Sequence, residues 1–246
     1  FFIKQRLNYA LTDNITAYTD LTYYTRAGFK PDFGIVDEED DYRIRVITGH
    51  FKDSNNRRVR KEPEFEFHWK QKSIGKLPWN YYFTATYGKW KDDEKISWHQ
   101  DYILYFPRNP IHLDKKKTWT WLNGFGFEQI QDSYNGSSQN ITRFNTMLHK
   151  RINSWLTAWV AYNYTSNNAS VFSYNHVDVT NELVRGIHIQ LTKKTGLSFV
   201  NSYDTLHNRT YENYITLHQN LHCWNTSLEY RTEAKQWRWD LVVVRF

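Results

Sequence analysis

The sequence predicts an all-β fold, an antiparallel transmembrane β-barrel of about fourteen strands, within a range of twelve to sixteen. Three observations lead there. Apolar and polar residues alternate in run after run, with Val, Ile, Thr and aromatics between turn residues. Aromatic residues make up 18% of the chain, with 11 Trp, 18 Tyr and 15 Phe, yet the mean hydropathy is −0.77. No stretch approaches the ~18 consecutive apolar residues of a membrane helix. Disordered chains are hydrophilic but poor in aromatics. A soluble domain of 246 residues would carry more Leu, Ile, Val and Ala in its core. A membrane barrel reconciles the three, because only alternate residues meet lipid and aromatic girdles mark both interfaces. The whole of 1–246 reads as one outer-membrane barrel domain, without a linker or a sequence repeat.

Strands are expected near 2–11, 15–27, 41–52, 62–71, 79–91, 95–106, 117–130, 139–150, 154–165, 178–192, 196–205, 210–221, 222–231 and 235–246. The clearest runs assign faces. In PEFEFHWK, Phe65, Phe67 and Trp69 oppose Glu64, Glu66, His68 and Lys70. In TWTWLNGFGFE, Trp119, Trp121, Phe125 and Phe127 oppose Thr118, Thr120, Gly124, Gly126 and Glu128, and the two glycines leave room on a crowded face. In YENYITLHQN, Ile215 and Leu217 oppose Glu212, Thr216 and His218. A soluble sandwich turns its apolar face inward, whereas a membrane barrel turns it outward and has a polar lumen. The polar faces carry both signs of charge, as a wet lumen does. Its expected lining is Arg6, Asp20, Glu66, His68, His99, Asp101, Arg143, His218, Arg238 and Asp240.

The connectors TDN (12–14), KDDE (91–94) and TEAK (232–235) read as tight turns. GFKPDFGIVDEED (28–40), RNPIHLDKKK (108–117) and SNNASVFSYNHVD (166–178) read as longer loops. Short turns at one end and longer loops at the other are the outer-membrane pattern. The net charge is +6, but the basic residues are dispersed. RRVRK (57–61) and KKK (115–117) read as solvated loops, so nucleic acid is not expected; a polyanion or an anionic glycolipid suits the charge better.

The last strand, KQWRWDLVVVRF, sets Trp237, Trp239 and Leu241 against Arg238 and Asp240, and ends on Phe246. An aromatic end on a final strand resembles the signal that barrel-insertion machinery reads. Trp237, Trp239, Leu241, Val243 and Phe246 are therefore the expected signal strand and one lip of a seam. Alternation back from Phe246 through Val244 and Val242 would put Asp240 and Arg238 on the lipid face, so a bulge or a change of environment near Val242 is expected to reconcile it with the Trp237–Trp239–Leu241 face. There is a single cysteine, Cys223, so no intrachain disulfide forms. The start, FFIKQRL, reads as a strand already under way, so the sequence is expected to be a mature chain or a fragment.

The segment YDTLHNRTYENYITLHQNLHCWNTSLEYR (203–231) resembles the C-terminal end of the LptD family, the outer-membrane barrels that deliver lipopolysaccharide to the outer leaflet. The elements that carry the likeness are the acidic turn at Tyr203 and Asp204, the pair Cys223 and Trp224, and the ending at Tyr230 and Arg231. EPEFEFHWK (62–70), ATYGKW (85–90) and SWHQDYILYFPRNPI (97–111) resemble the shorter members of diderm Firmicutes. The resemblance implies lipopolysaccharide transport and insertion through a polar lumen and a lateral seam, in the bacterial outer membrane. It implies as partners lipopolysaccharide, outer-membrane lipids, the barrel-insertion machinery and, in the family, a periplasmic lipid-transport bridge and a plug lipoprotein. Proteobacterial members have adjacent cysteines bonded to a periplasmic domain; only Cys223 stands here, and residues 1–246 show no jellyroll pattern of their own. The family's larger barrels exceed what 246 residues can build, so the chain is expected to be the C-terminal part of a longer protein or a reduced version.

The alternative is a general diffusion channel without lipid work. A soluble sugar-binding β protein is a third reading. No catalyst, metal or cofactor is expected: HExxH, GxSxG, P-loop and GxGxxG patterns are absent, and His218 and His222 straddle a turn. The one hint of hydrolase chemistry is SWHQD, which puts Ser97 and His99 on one face.

Overall fold

The computed structural model describes residues 2–24, 28–52, 57–166, 171–221 and 224–243. It is built of strands: β1 (Phe2–Ala10), β2 (Ile15–Tyr24), β3 (Gly28–Glu38), β4 (Tyr42–Lys52), β5 (Arg58–Ser73), β6 (Asn80–Lys91), β7 (Ile96–Pro107) and β8 (Ile111–His112). There follow β9 (Trp119–Asp132), β10 (Ser137–Arg151), β11 (Leu156–Thr165), β12 (Asn181–Gln190), β13 (Thr195–Asp204), β14 (Arg209–Asn220), β15 (Trp224–Arg231) and β16 (Gln236–Val243). They form one antiparallel sheet of 16 strands in which neighbours in sequence are neighbours in space; the short β8 pairs with β9 off the main path. β1 and β16 are the two ends of that order. All fourteen expected strands are present, together with β3 and β8.

The chain divides into two compact units. One comprises Phe1–Phe106, Gly126–Thr142 and Asn167–Val177; the other comprises Pro107–Phe125, Arg143–Ser166 and Asp178–Phe246.

The segment 28–40, expected as a loop, is mostly β3. Gly28, Pro31, Gly34 and the acidic end argued for a loop, yet Phe29, Phe33 and Ile35 keep strand alternation and lie exposed on one face. Pro31 stands opposite Leu21 in the register. Gly34 is needed because a Cβ there would lie 2.4 Å from the Tyr18 ring. The cluster 57–61 is also not a solvated loop: Arg58 opens β5 and Lys61 is buried. Short and long connectors do not sort by end. In the first unit 12–14 joins β1 to β2 and 91–94 joins β6 to β7, which places these two tight turns at opposite ends of an antiparallel sheet.

Turn chemistry follows the local residues. Asp92 Oδ1 accepts the backbone N–H groups of Glu94 and Lys95, at 3.0 and 2.7 Å. Asn153 Oδ1 does the same for Trp155 and Leu156 at 2.9 and 2.8 Å, and Thr192 Oγ1 for Lys194 and Thr195 at 3.1 Å each. At Gly126, as expected, the missing Cβ makes room: it would stand 2.5 Å from the Tyr105 ring.

The partition of side chains is the reverse of a soluble core. Asp20, Asp32, Glu64, Glu128, Asp132, Asp204 and Glu212 are buried. Leu7, Phe33, Ile35, Phe65, Trp98, Phe127, Phe144, Ile187, Leu228, Trp237 and Trp239 are exposed. Side chains alternate with period two, so along β5, β9 and β14 covered Glu64, Glu128 and Glu212 lie on one face and uncovered Phe65, Phe127 and Ile215 on the other.

Candidate functional site

The polar face of the first unit carries the largest group of expected site residues. Arg6 on β1 opposes Asp20 on β2, and its guanidinium forks onto both carboxylate oxygens at 2.7 and 2.5 Å. Asp20 is 1% exposed. A carboxylate so covered is stable only with such a partner. Glu66 accepts from Arg43 at 3.0 Å and from Arg45 at 2.6 Å. His68 Nδ1 stands 2.9 Å from Thr84 Oγ1, with its ring 5.7 Å from that of Tyr82. Asp101 opposes Thr86, which opposes Glu66, so the three share one row across β5, β6 and β7.

His99 is the most enclosed of the expected residues, at 0% exposure. Its Nδ1 lies 3.0 Å from Asp132 Oδ1, and its ring stacks on Trp90 at 3.9 Å. Ser97 shares its face, as expected, but donates to Asp132 at 3.0 Å and not to His99. His99 Nε2 instead faces Asn175 Nδ2 at 3.3 Å. A nucleophile needs its base within hydrogen-bond reach. Here Ser97 and His99 meet through the same carboxylate, so the three groups are wired as a buried network.

Next to His99 lies a set that the sequence did not reveal. Lys61 and Glu64 on β5 form an ion pair at 2.8 Å, both nearly inaccessible. Strict alternation puts positions 61 and 64 on opposite faces. Pro63 lacks an N–H for the ladder, and the β5–β6 register shifts between Lys61 and Glu64, which brings both to the polar face. Glu64 also accepts from Trp90 Nε1 at 2.7 Å, and Lys61 Nζ lies 4.4 Å from the Trp90 ring centroid.

A segment between β11 and β12 caps this set. Phe172 is 0% exposed, packed with Val59 and Trp90 and edge-on to His99 at 6.2 Å. Tyr174 meets Trp90 edge-on at 5.8 Å, and Lys95 Nζ donates to the Val171 carbonyl at 3.1 Å. One turn of 3₁₀ helix, Ser173–Asn175, carries Tyr174 and Asn175. The only sequence signal was the apolar pair Val171–Phe172 inside a polar loop.

In the second unit Arg143 opposes Thr165, on the same face as the Asn145–Asn163–Glu182 row. His218 Nε2 stands 3.1 Å from Ser198 Oγ, whose other neighbour is His188 Nδ1 at 2.9 Å. Arg238 and Asp240 pair with each other along β16 at 2.8 Å. Trp237 and Trp239, opposite in facing, are 68% and 60% exposed. The β15–β16 register runs unshifted from Arg231↔Gln236 to Trp224↔Val243, so among the described residues β16 carries no bulge. Leu241 and Val243 belong to β16 by backbone, while Phe246, like Cys223, lies outside the described residues.

Among the residues that carried the family resemblance, Asp204 and Arg231 hold turns. Asp204 accepts from the N–H of Leu206 and His207, at 3.1 and 3.2 Å, and from the His207 ring at 2.7 Å. Arg231 Nε donates to buried Glu212 at 3.2 Å, and Glu212 also receives the N–H groups of Glu233 and Ala234, at 2.8 and 3.1 Å. Glu212 thus pins the 232–235 turn. Tyr203 lies 5.8 Å from the Arg185 guanidinium, Tyr230 packs tilted against Trp237 with ring centroids 4.7 Å apart, and Trp224 is exposed opposite Val243. No family model matches the chain, and no curated protein matches it.

Proposed function

We propose that this chain is an outer-membrane β-barrel of the LptD type, which passes lipopolysaccharide across a polar lumen and releases it through a lateral seam. The observation that carries the reading is the reversed partition: charged side chains covered, large apolar side chains uncovered. Water makes that arrangement unfavourable by about 25 cal/mol for each Å² of apolar surface left exposed. A bilayer removes the penalty on the outside, and a closed sheet keeps ionised groups away from lipid. The step from barrel to lipopolysaccharide rests on the 203–231 resemblance and on the mixed charges of the polar face.

The chemistry needs no catalyst. The anionic sugar moiety meets paired groups such as Arg6–Asp20 and Arg43/Arg45–Glu66, whose guanidiniums can exchange a carboxylate for a phosphate of similar geometry. The acyl chains gain about 0.8 kcal/mol per methylene on leaving water for the membrane, which drives them outward through the seam. In the family the seam joins the first and last strands of the barrel, and β16 is one lip of it in this reading, because a pair closed by few ladder bonds opens most readily. Trp237 and Trp239 form the lipid side of that lip.

A diffusion channel is the second reading; opposite charges paired with one another, as in Arg6–Asp20, also suit the wall of a water-filled pore. A photo-crosslinking amino acid at His218 in living cells separates the two. An adduct with lipopolysaccharide that vanishes when upstream lipid transport stops is the expected result. A folded barrel with no adduct at 218, 66 or 143, and open conductance in planar bilayers, would establish the channel.

A further inference from the structure

Charged residues interrupt the apolar face of the second unit: Lys150 on β10, whose Nζ lies 4.2 Å from the Trp119 ring centroid, and Arg185. Arg185 on β12 is exposed, next in register to Val160 and Asn201. Its Nη2 donates to Asn201 Oδ1 at 3.0 Å; Asn201 Nδ2 donates to Asn213 Oδ1 at 2.9 Å; Asn213 Nδ2 donates to Thr232 Oγ1 at 3.1 Å. This row runs across three strands and leaves the remaining guanidinium N–H groups toward the uncovered side. Among the described residues no carboxylate lies within ion-pair distance of Arg185.

The row is flanked on both sides. One residue-pair along, Ala158, Ile187, Phe199 and Ile215 form an aliphatic and aromatic row in continuous register. On the other side lie Tyr162, Leu183 and Tyr203. A shallow groove of about 510 Å³ runs between Arg185, Asn201 and Asn213 and the Ile187–Phe199–Ile215 row. A cation at one edge and an apolar trough beside it match one kind of molecule: an acyl chain with an anionic head.

We infer that this groove binds a phosphate-bearing lipid of the surrounding bilayer, its phosphate on Arg185 and Asn201 and one acyl chain along Ile187, Phe199 and Ile215. The inference rests on the membrane-facing reading of the apolar face. Within it, an Arg without a counter-ion is unfavourable on the lipid face, most of all toward the bilayer midplane. A lipid phosphate both neutralises the charge and takes two of its donors.

The test uses the full chain refolded in mild detergent, with heat-modifiable migration on gels as the check of a folded barrel. Native mass spectrometry then counts retained phosphatidylglycerol, with diacylglycerol and inorganic phosphate as parallel probes. Phosphatidylglycerol is expected to stay bound, and Arg185→Gln to lower its occupancy roughly tenfold, the loss of one charge-assisted contact. Arg185→Lys keeps the charge but not the fork, and is expected to fall between. Ile187→Asn weakens retention with Arg185 intact. Equal retention of diacylglycerol, displacement by millimolar inorganic phosphate alone, or unchanged retention in a heat-modifiable Arg185→Gln protein would overturn the site and leave the barrel standing. A chain soluble without detergent and without heat-modifiable migration would overturn the barrel reading itself.

Discussion

At the scale of single residues, the buried ion pairs decide most. Lys61 and Glu64 are held by each other and by Trp90, with almost no water within reach. Lys61→Met leaves a carboxylate uncompensated, and removing one partner of a buried pair costs about 3–5 kcal/mol. The double replacement Lys61→Met with Glu64→Leu is expected to recover most of that loss. Urea unfolding in detergent, followed by Trp fluorescence, measures both. A single-site loss below about 1 kcal/mol would mean that water reaches the pair. Asp114, in the connector between β8 and β9, shows a pH effect outside the strands. Its carboxylate receives the Trp119 N–H and the Thr118 hydroxyl, each at 2.8 Å, and these bonds hold its pKa below the ordinary aspartate value. A lowered folded-state pKa adds stability above the unfolded value and withdraws it as pH falls through the lowered one. The 113–118 connector is therefore expected to loosen below about pH 4. Amide exchange at Trp119 should rise there, and Asp114→Asn should remove the pH dependence.

At the scale of elements, the segment 171–177 is the most informative. It belongs to a connector, yet Phe172 is among the most covered side chains of its unit. Phe172→Ala removes the packing against Val59 and Trp90, a loss of about 3–5 kcal/mol for a buried Phe. The variant is expected to be cut by protease within 171–177 while the strands stay protected. In planar bilayers it should conduct more than the parent, because the segment sits on the polar face that the proposed function treats as a passage. Equal conductance would show that the segment blocks nothing. Loop-like composition hid β3 in the same way that loop position hid Phe172. A Pro, two glycines and an acidic run outweighed a visible Phe29–Phe33–Ile35 alternation. The register supplies what composition lacked: Pro31 tolerated opposite Leu21, and Gly34 filled by Tyr18.

At the scale of the whole molecule, the solvent around the uncovered face decides stability. A chain with Trp237, Trp239, Phe65 and Phe127 uncovered and Asp20, Glu64 and Glu212 covered is unfavourable in water. Refolding is expected in detergent or liposomes and aggregation without them. Deleting 235–246 should prevent barrel assembly in the outer membrane, since it removes β16 and the strand that β15 pairs with. Normal outer-membrane levels of the truncated chain would refute the roles given to the last strand as lip and signal.

The sequence by itself determined the strand class, fourteen of the strands and which side chains share a face. These follow from a period of two, which any single strand displays without reference to its neighbours. It also disclosed most of the polar face, from Arg6 and Asp20 to His218. Only the tertiary structure decided the partners. Arg43 and Arg45 on Glu66, Asp132 between Ser97 and His99, and Phe172 over Trp90 join residues far apart in the chain. It also decided Lys61, which reaches its face only through a register shift at Pro63. A period describes one strand; a shift in register is a property of two, and a loop that folds back on a face is a property of many.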